Sequence, residues 1–174
     1  TNVILWPALG RESPKMTEPS DEAEWARTIT AKLRNGSPIV VIDNVQQRLA
    51  SPALMAAITE AIREDRVVRT SMVDQMAARR VWIITGINLQ MSDEMIRRIL
   101  RCRLDPRVER PELRADFRIL DLRAWLEYYR GRQVYAILTV CQAWIVAGKP
   151  LSTTRCGGFE HYARVMGGVL EFLE

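Results

Sequence analysis

The sequence predicts an α/β domain followed by an all-helical region, and three observations carry that prediction. Strand-like and helix-like patterns alternate through the first hundred residues and then give way to helices alone. Two uninterrupted runs, Ile39 to Ile42 and Val81 to Ile84, lack polar alternation and read as strands covered on both faces, as in a parallel sheet. Each run ends in polar residues, Asp43-Asn44 after the first and Thr85-Gly86-Ile87-Asn88 after the second. Ligands of open α/β sheets gather at such carboxyl ends, so Asp43 and Asn88 are the first candidates for a site.

The elements follow in order. Val3 to Trp6 is an apolar patch followed by Pro7, Gly10, Pro14 and Pro19, which predicts a short strand or docked arm and then a loop. Asp21 to Arg34 places Trp25, Ile29 and Leu33 four residues apart, one face of a helix with acids in its first turn. Asn35-Gly36 is turn punctuation before the first strand. Ser51-Pro52 supplies an N-cap and a proline at the first helical position, and Leu54, Ile58, Ala61 and Ile62 predict a buried stripe on a helix reaching about Glu64. Val67-Val68 and Met72-Val73 predict two short strands with a turn between them.

After the second apolar strand, Ser92-Asp93-Glu94 opens a short helix through Arg98. Ile99 to Leu104 alternates Leu100, Cys102 and Leu104 with arginine, the pattern of a strand with one wet side. Further helices are expected at Asp121 to Tyr129, from about Gly131 to Ala147, and from Phe159. The middle one carries Val134, Ile137, Leu138, Cys141, Trp144 and Ile145 on one face and is stopped by Gly148 and Pro150. The predicted organisation is a core over residues 1–108 and a helical unit over 109–174.

Composition bounds the function. The 174 residues are 48% hydrophobic, enough to bury a core, and the net charge is only +4. Of 25 basic residues only Lys15, Lys32 and Lys149 are lysine, a bias that favours planar contacts to phosphates and equally follows from a GC-rich genome. Arginines are densest between Arg97 and Arg132, where an anionic partner is best sought. Cys102, Cys141 and Cys156 show no paired spacing and His161 is the only histidine, too few ligands for a Cys/His metal site. No apolar run reaches membrane-spanning length and the opening lacks a signal-peptide pattern, so a cytoplasmic protein without a membrane anchor is expected.

Order and spacing of the motifs together resemble the AAA+ ATPases, in particular the helicase-like ATPase domains of replication or primase-associated proteins in phages and mobile elements. Val41-Ile42-Asp43-Asn44 resembles the Walker B strand and Trp82 to Asn88 the sensor-1 strand. Ile96 to Ile99 and Arg101 to Asp105 resemble the arginine-finger segment and the last core strand. Glu109 to Arg114, Ala143 to Gly148 and Phe159-Glu160 resemble the lid. The resemblance implies that Asp43 holds Mg²⁺, that Asn44 stands where relatives carry the water-activating glutamate, and that Asn88 orients water or the γ-phosphate. It also implies that Arg98, or Arg97 beside it, is a finger acting in a neighbouring subunit of a homo-oligomeric ring. Arg66, Arg69, Arg79 and Arg80 flank a hairpin that in related helicases faces DNA.

The sequence departs from that family in one large respect. No Gly-x-x-x-x-Gly-Lys-Ser/Thr string occurs, and Gly148-Lys149 is followed by Pro150, so the chain cannot cradle a triphosphate by itself. Two expectations follow: ATP and Mg²⁺ belong to a longer parent whose P-loop lies upstream, or the chain is a degenerate, non-enzymatic module that binds a partner protein or nucleic acid. Plainer readings stand beside each residue. Asp43 can be a turn cap, Asn44 and Asn88 turn residues, and the arginines a solvated face. Trp25, Trp82, Trp125 and Trp144 read as core, His161 as an ordinary helix residue, and Glu60 and Glu64 have no partner carboxylate.

Overall fold

The computed structural model describes residues 2–66 and 73–173. They divide into two compact units, one formed by residues 13–100 and the other by 2–12 with 101–174.

The first unit is the α/β part. β1 (Lys15–Met16), β2 (Ile39–Ile42) and β5 (Val81–Ile84) form a parallel sheet in the order β1-β2-β5. Ile39 pairs with Val81 and Ile42 with Ile84, so the two apolar runs lie side by side, in register, and end together. β3 (Ile62–Arg66) and β4 (Val73–Ala77) make a separate antiparallel hairpin. α2 (Glu22–Arg34) starts where Asp21 accepts the Glu24 N–H, and α3 (Pro52–Thr59) starts where Ser51 accepts the Leu54 N–H. The Glu22 carboxylate also takes the Ala53 N–H at 2.7 Å, joining the two helix starts. α4 (Asp93–Ile96) is a single turn capped by Ser92. Trp25, Ile29 and Leu33 of α2, Val40 and Ile42 of β2, and Leu54 and Ala57 of α3 close one core around the sheet.

In the second unit, α1 (Asn2–Leu9) packs on α5 (Leu122–Val146), and α6 (Glu160–Glu171) follows. Gly148 adopts φ +86° beyond α5, its N–H donates to Ile145, and the Lys149 N–H donates to Trp144. That paired closure is the glycine stop expected from Gly148 and Pro150. Among the described residues no helix is long and apolar enough to cross a membrane.

Several expectations need correction. Val3 to Trp6 is helix, because Leu5 and Trp6 bury themselves beside α5; a short apolar run cannot be told from a strand by periodicity. α3 ends at Thr59 because Glu60 turns extended and Ile62 enters the hairpin, where it is exposed. Of the residues expected to form the hairpin strands, Val67, Val68 and Met72 lie outside the described residues; the observed strands flank them. Ile99 to Leu104 is not a strand: no ladder forms along it, and Leu104 is 92% exposed. The two helices expected at 121–129 and 131–147 are one, continuous through Gly131, and Ile137, Leu138 and Cys141 on its apolar stripe are exposed.

Candidate functional site

The carboxyl ends of β1, β2 and β5 converge on Asp43. Its N–H donates to the Met16 carbonyl, which ties the end of β2 to β1. Across the sheet, the Thr85 N–H donates to the Ile42 carbonyl and the Val45 N–H returns to the Thr85 carbonyl at 2.8 Å. Between those bonds Asn44 adopts φ +59°, a left-handed conformation that asparagine tolerates better than most residues. The turn lets the Asn44 N–H reach the Thr85 hydroxyl at 3.1 Å, and that hydroxyl donates to Asp43 Oδ1 at 2.6 Å. Asp43 Oδ2 accepts from the Lys15 ammonium at 2.7 Å. One carboxylate therefore clips three parallel strands at one end.

The electrostatics follow from this geometry. The hydrogen bond from Lys15, then that from Thr85, stabilises the ionised form and holds the Asp43 carboxyl below its ordinary 3.8. Further along the loop, Glu18 Oε2 accepts the N–H groups of Gln46 and Gln47 at 2.9 and 3.1 Å. Gly86 lies so close to the Val45 carbonyl oxygen that an added Cβ would stand 2.7 Å from it. Any larger residue at 86 would push the two strand ends apart.

Each residue expected at the site can now be placed. Asp43, Asn44 and Asn88 all lie at the carboxyl end of the paired strands. Asn88 is exposed with φ +51°, in the turn after β5. The left-handed backbone accounts for asparagine at both 44 and 88 without a catalytic role. Arg98 is elsewhere. Its Nε donates to Thr59 Oγ1 at 3.1 Å at the end of α3, and its guanidinium also contacts the Glu94 carbonyl and carboxylate. Arg97 caps α4 and is exposed.

Of the four arginines expected to flank the hairpin, three lie among the described residues. Arg66 closes β3 opposite Val73, and Arg69 lies outside the described residues. Arg79 and Arg80 sit at the foot of the hairpin, in the link between β4 and β5.

Lys15 and Thr85 complete the site without being announced by the sequence. Lys15 sits in a proline-bounded segment with no strand pattern, and Thr85 looks in sequence like the last residue of an apolar strand. A polar β-branched residue closing a buried run beside a second run that closes in aspartate is the one signal that could have found Thr85.

For a divalent cation the donor set is thin. Both oxygens of Asp43 are engaged, and no group of three or more His, Cys, Asp or Glu side chains able to hold a metal occurs among the described residues. These residues do not by themselves fit Mg²⁺. In comparisons with known proteins, no family model matches the chain, and no curated protein and no solved structure matches it.

Proposed function

We propose that this chain is the downstream portion of an ATP-driven, helicase-like AAA+ ATPase acting in DNA replication of a phage or mobile element, and that it is inactive alone. One observation carries the reading. The strand resembling Walker B and the strand resembling sensor-1 run parallel, in register and adjacent, and deliver Asp43 and the Thr85–Asn88 turn to the same end of the sheet. In this reading ATP and Mg²⁺ are bound by the longer parent, which also supplies the P-loop, and Arg98 or Arg97 acts in a neighbouring subunit of a ring on DNA. The contacts of Arg98 with Thr59 and Glu94 have to open for that role, whereas Arg97 is already exposed.

A second reading, a non-enzymatic ATPase-like module that binds a partner protein or nucleic acid, is favoured by the Lys15 ammonium on Asp43. A site whose acid already holds an internal cation has less to offer an external one.

Assays on the purified chain test both readings, and the parent gene separates them. Both readings predict no Mg²⁺-dependent ATP turnover, and measurable turnover contradicts them. The parent reading predicts that the open reading frame upstream encodes a P-loop, and that a protein including it hydrolyses ATP and loses turnover on Asp43→Ala. A frame without a P-loop, combined with steeply salt-dependent binding of single-stranded DNA in the absence of nucleotide, leaves the module as the reading.

A further inference from the structure

At the opposite end of the sheet from Asp43, the amino ends of β2 and β5 border a cleft of about 640 Å³. Pro38 accepts the Val81 N–H there at 3.0 Å, holding the two strand starts together. Gly36 after α2, Ile58 and Thr59 at the end of α3, Glu60 and Ala61, and Arg79 and Arg80 before β5 complete the walls. The cleft is broad and open to solvent, with a volume in the range that small-molecule sites span.

The charge in this cleft is unbalanced. Among the described residues Glu60 is the only carboxylate in its walls, and it lies 4.0 Å from Arg63. Against it stand Arg79 and Arg80, neither of which makes an ion pair among the described residues, and Arg98 is fixed at the rim on Thr59. Arg80 Nη1 donates to the Arg79 carbonyl at 2.9 Å, and its Nε is buried with no acceptor among the described residues. A buried guanidinium N–H is costly to leave unmatched, and planar N–H forks are built to grip phosphate oxygens.

We propose that this cleft binds a phosphate group, with Arg79 and Arg80 as its ligands and Glu60 as the charge that limits its affinity. The proposal concerns the end of the sheet remote from Asp43 and does not rest on the ATPase reading. The phosphate belongs either to a small phosphorylated molecule or to the backbone of a nucleic-acid strand, and the chemistry of capture is the same.

The test follows the arginine Nε–H signals by NMR while inorganic phosphate, and separately a short single-stranded oligonucleotide, is titrated into the folded chain. The expected result is saturable shifts at the Nε–H signals of Arg79 and Arg80, with the affinity read at Arg79 Nε–H weakened about tenfold in Arg80→Ala, the worth of one charge-assisted contact. Glu60→Gln should tighten binding several-fold, a gain that a purely structural role for Glu60 would not produce. Arg155→Ala, in the other compact unit, should change nothing. Should Arg80→Ala fail to fold, exposed Arg79→Ala serves, with a several-fold loss expected. Oligonucleotide binding tighter than phosphate, with the same dependence on Arg80, identifies a strand as the source; equal affinity identifies a small phosphate. The absence of any saturable shift at Arg80, or a response equally lost in Arg155→Ala, overturns the proposal.

Discussion

The two compact units treat their apolar residues differently. Apart from Leu5, Trp6, Leu126 and Ala163, every buried hydrophobic side chain among the described residues belongs to residues 13–100. The unit of residues 2–12 and 101–174 instead exposes most of the large hydrophobics, with Tyr135, Ile137, Leu138 and Val146 along α5 all more than half accessible. Similar apolar stripes in sequence therefore have different fates. In α2 the stripe meets a sheet, while along the second half of α5 nothing within the unit covers it. The lesson is that periodicity predicts a helix and its apolar face, but burial depends on a partner surface that periodicity does not supply.

The largest test of this contrast is a pair of truncations. Ile42→Ala, in a strand whose side chain is fully buried, should cost about 2–5 kcal/mol in urea unfolding, whereas Ile137→Ala should stay within about 0.5 kcal/mol. Similar losses at the two sites would erase the distinction.

Next come two glycines, one per unit. Gly86→Ala drives a Cβ against the Val45 carbonyl oxygen, and Gly168→Ala drives one against the Pro150 carbonyl oxygen. Each should lower stability by about 1–3 kcal/mol in thermal melts. A tolerated Gly168→Ala would mean that the packing of α6 on residues 150–152 is looser than its geometry, sharpening the contrast further.

Helix caps should be the equaliser. Ser51 accepts the Leu54 N–H in one unit and Asp121 the Ala124 N–H in the other, so Ser51→Ala and Asp121→Ala should each cost about 1 kcal/mol. Caps act locally and do not depend on how much core lies beneath them.

The smallest effect is on pH dependence. Asp21 and Asp43 in the first unit and Asp116 in the second are all held below the ordinary 3.8, by the Glu24 N–H, by Lys15, and by Arg114 respectively. A depressed folded-state value means the unfolded chain binds protons first. Their stabilisation is present above the unfolded value and is lost as pH falls through the folded value. Unfolding midpoints measured from neutral pH to below 3.8 should fall on acidification in both units, with Lys15→Met flattening the slope.

Much of the first unit was legible in the chain. Asp21, Ser51 and Ser92 announced helix starts that the structure keeps, and the unalternated runs at 39–42 and 81–84 announced two adjacent parallel strands. The limits have physical causes. β3 reads Ile-Arg-Glu-Asp-Arg, with no strand propensity, and is made a strand by its pairing with β4. The alternation at 99–104 promised a strand that lacks a neighbour to pair with. At the site, Asp43 and the turn at Asn88 could be anticipated because strand ends are marked in sequence. Lys15 could not, because a two-residue strand carries no period and its partner is 28 residues away. Thr85 was visible as a residue, while its hydroxyl's role depends on the register between β2 and β5.

Lys15, Asp43 and Thr85 form one clamp across the carboxyl ends of three parallel strands. NMR titration of the Asp43 carboxyl in the native chain and in Lys15→Met tests it most directly. The clamp predicts a native titration below 3.8 that climbs toward that value when the ammonium is removed. An ordinary native titration, unmoved by Lys15→Met, would contradict it.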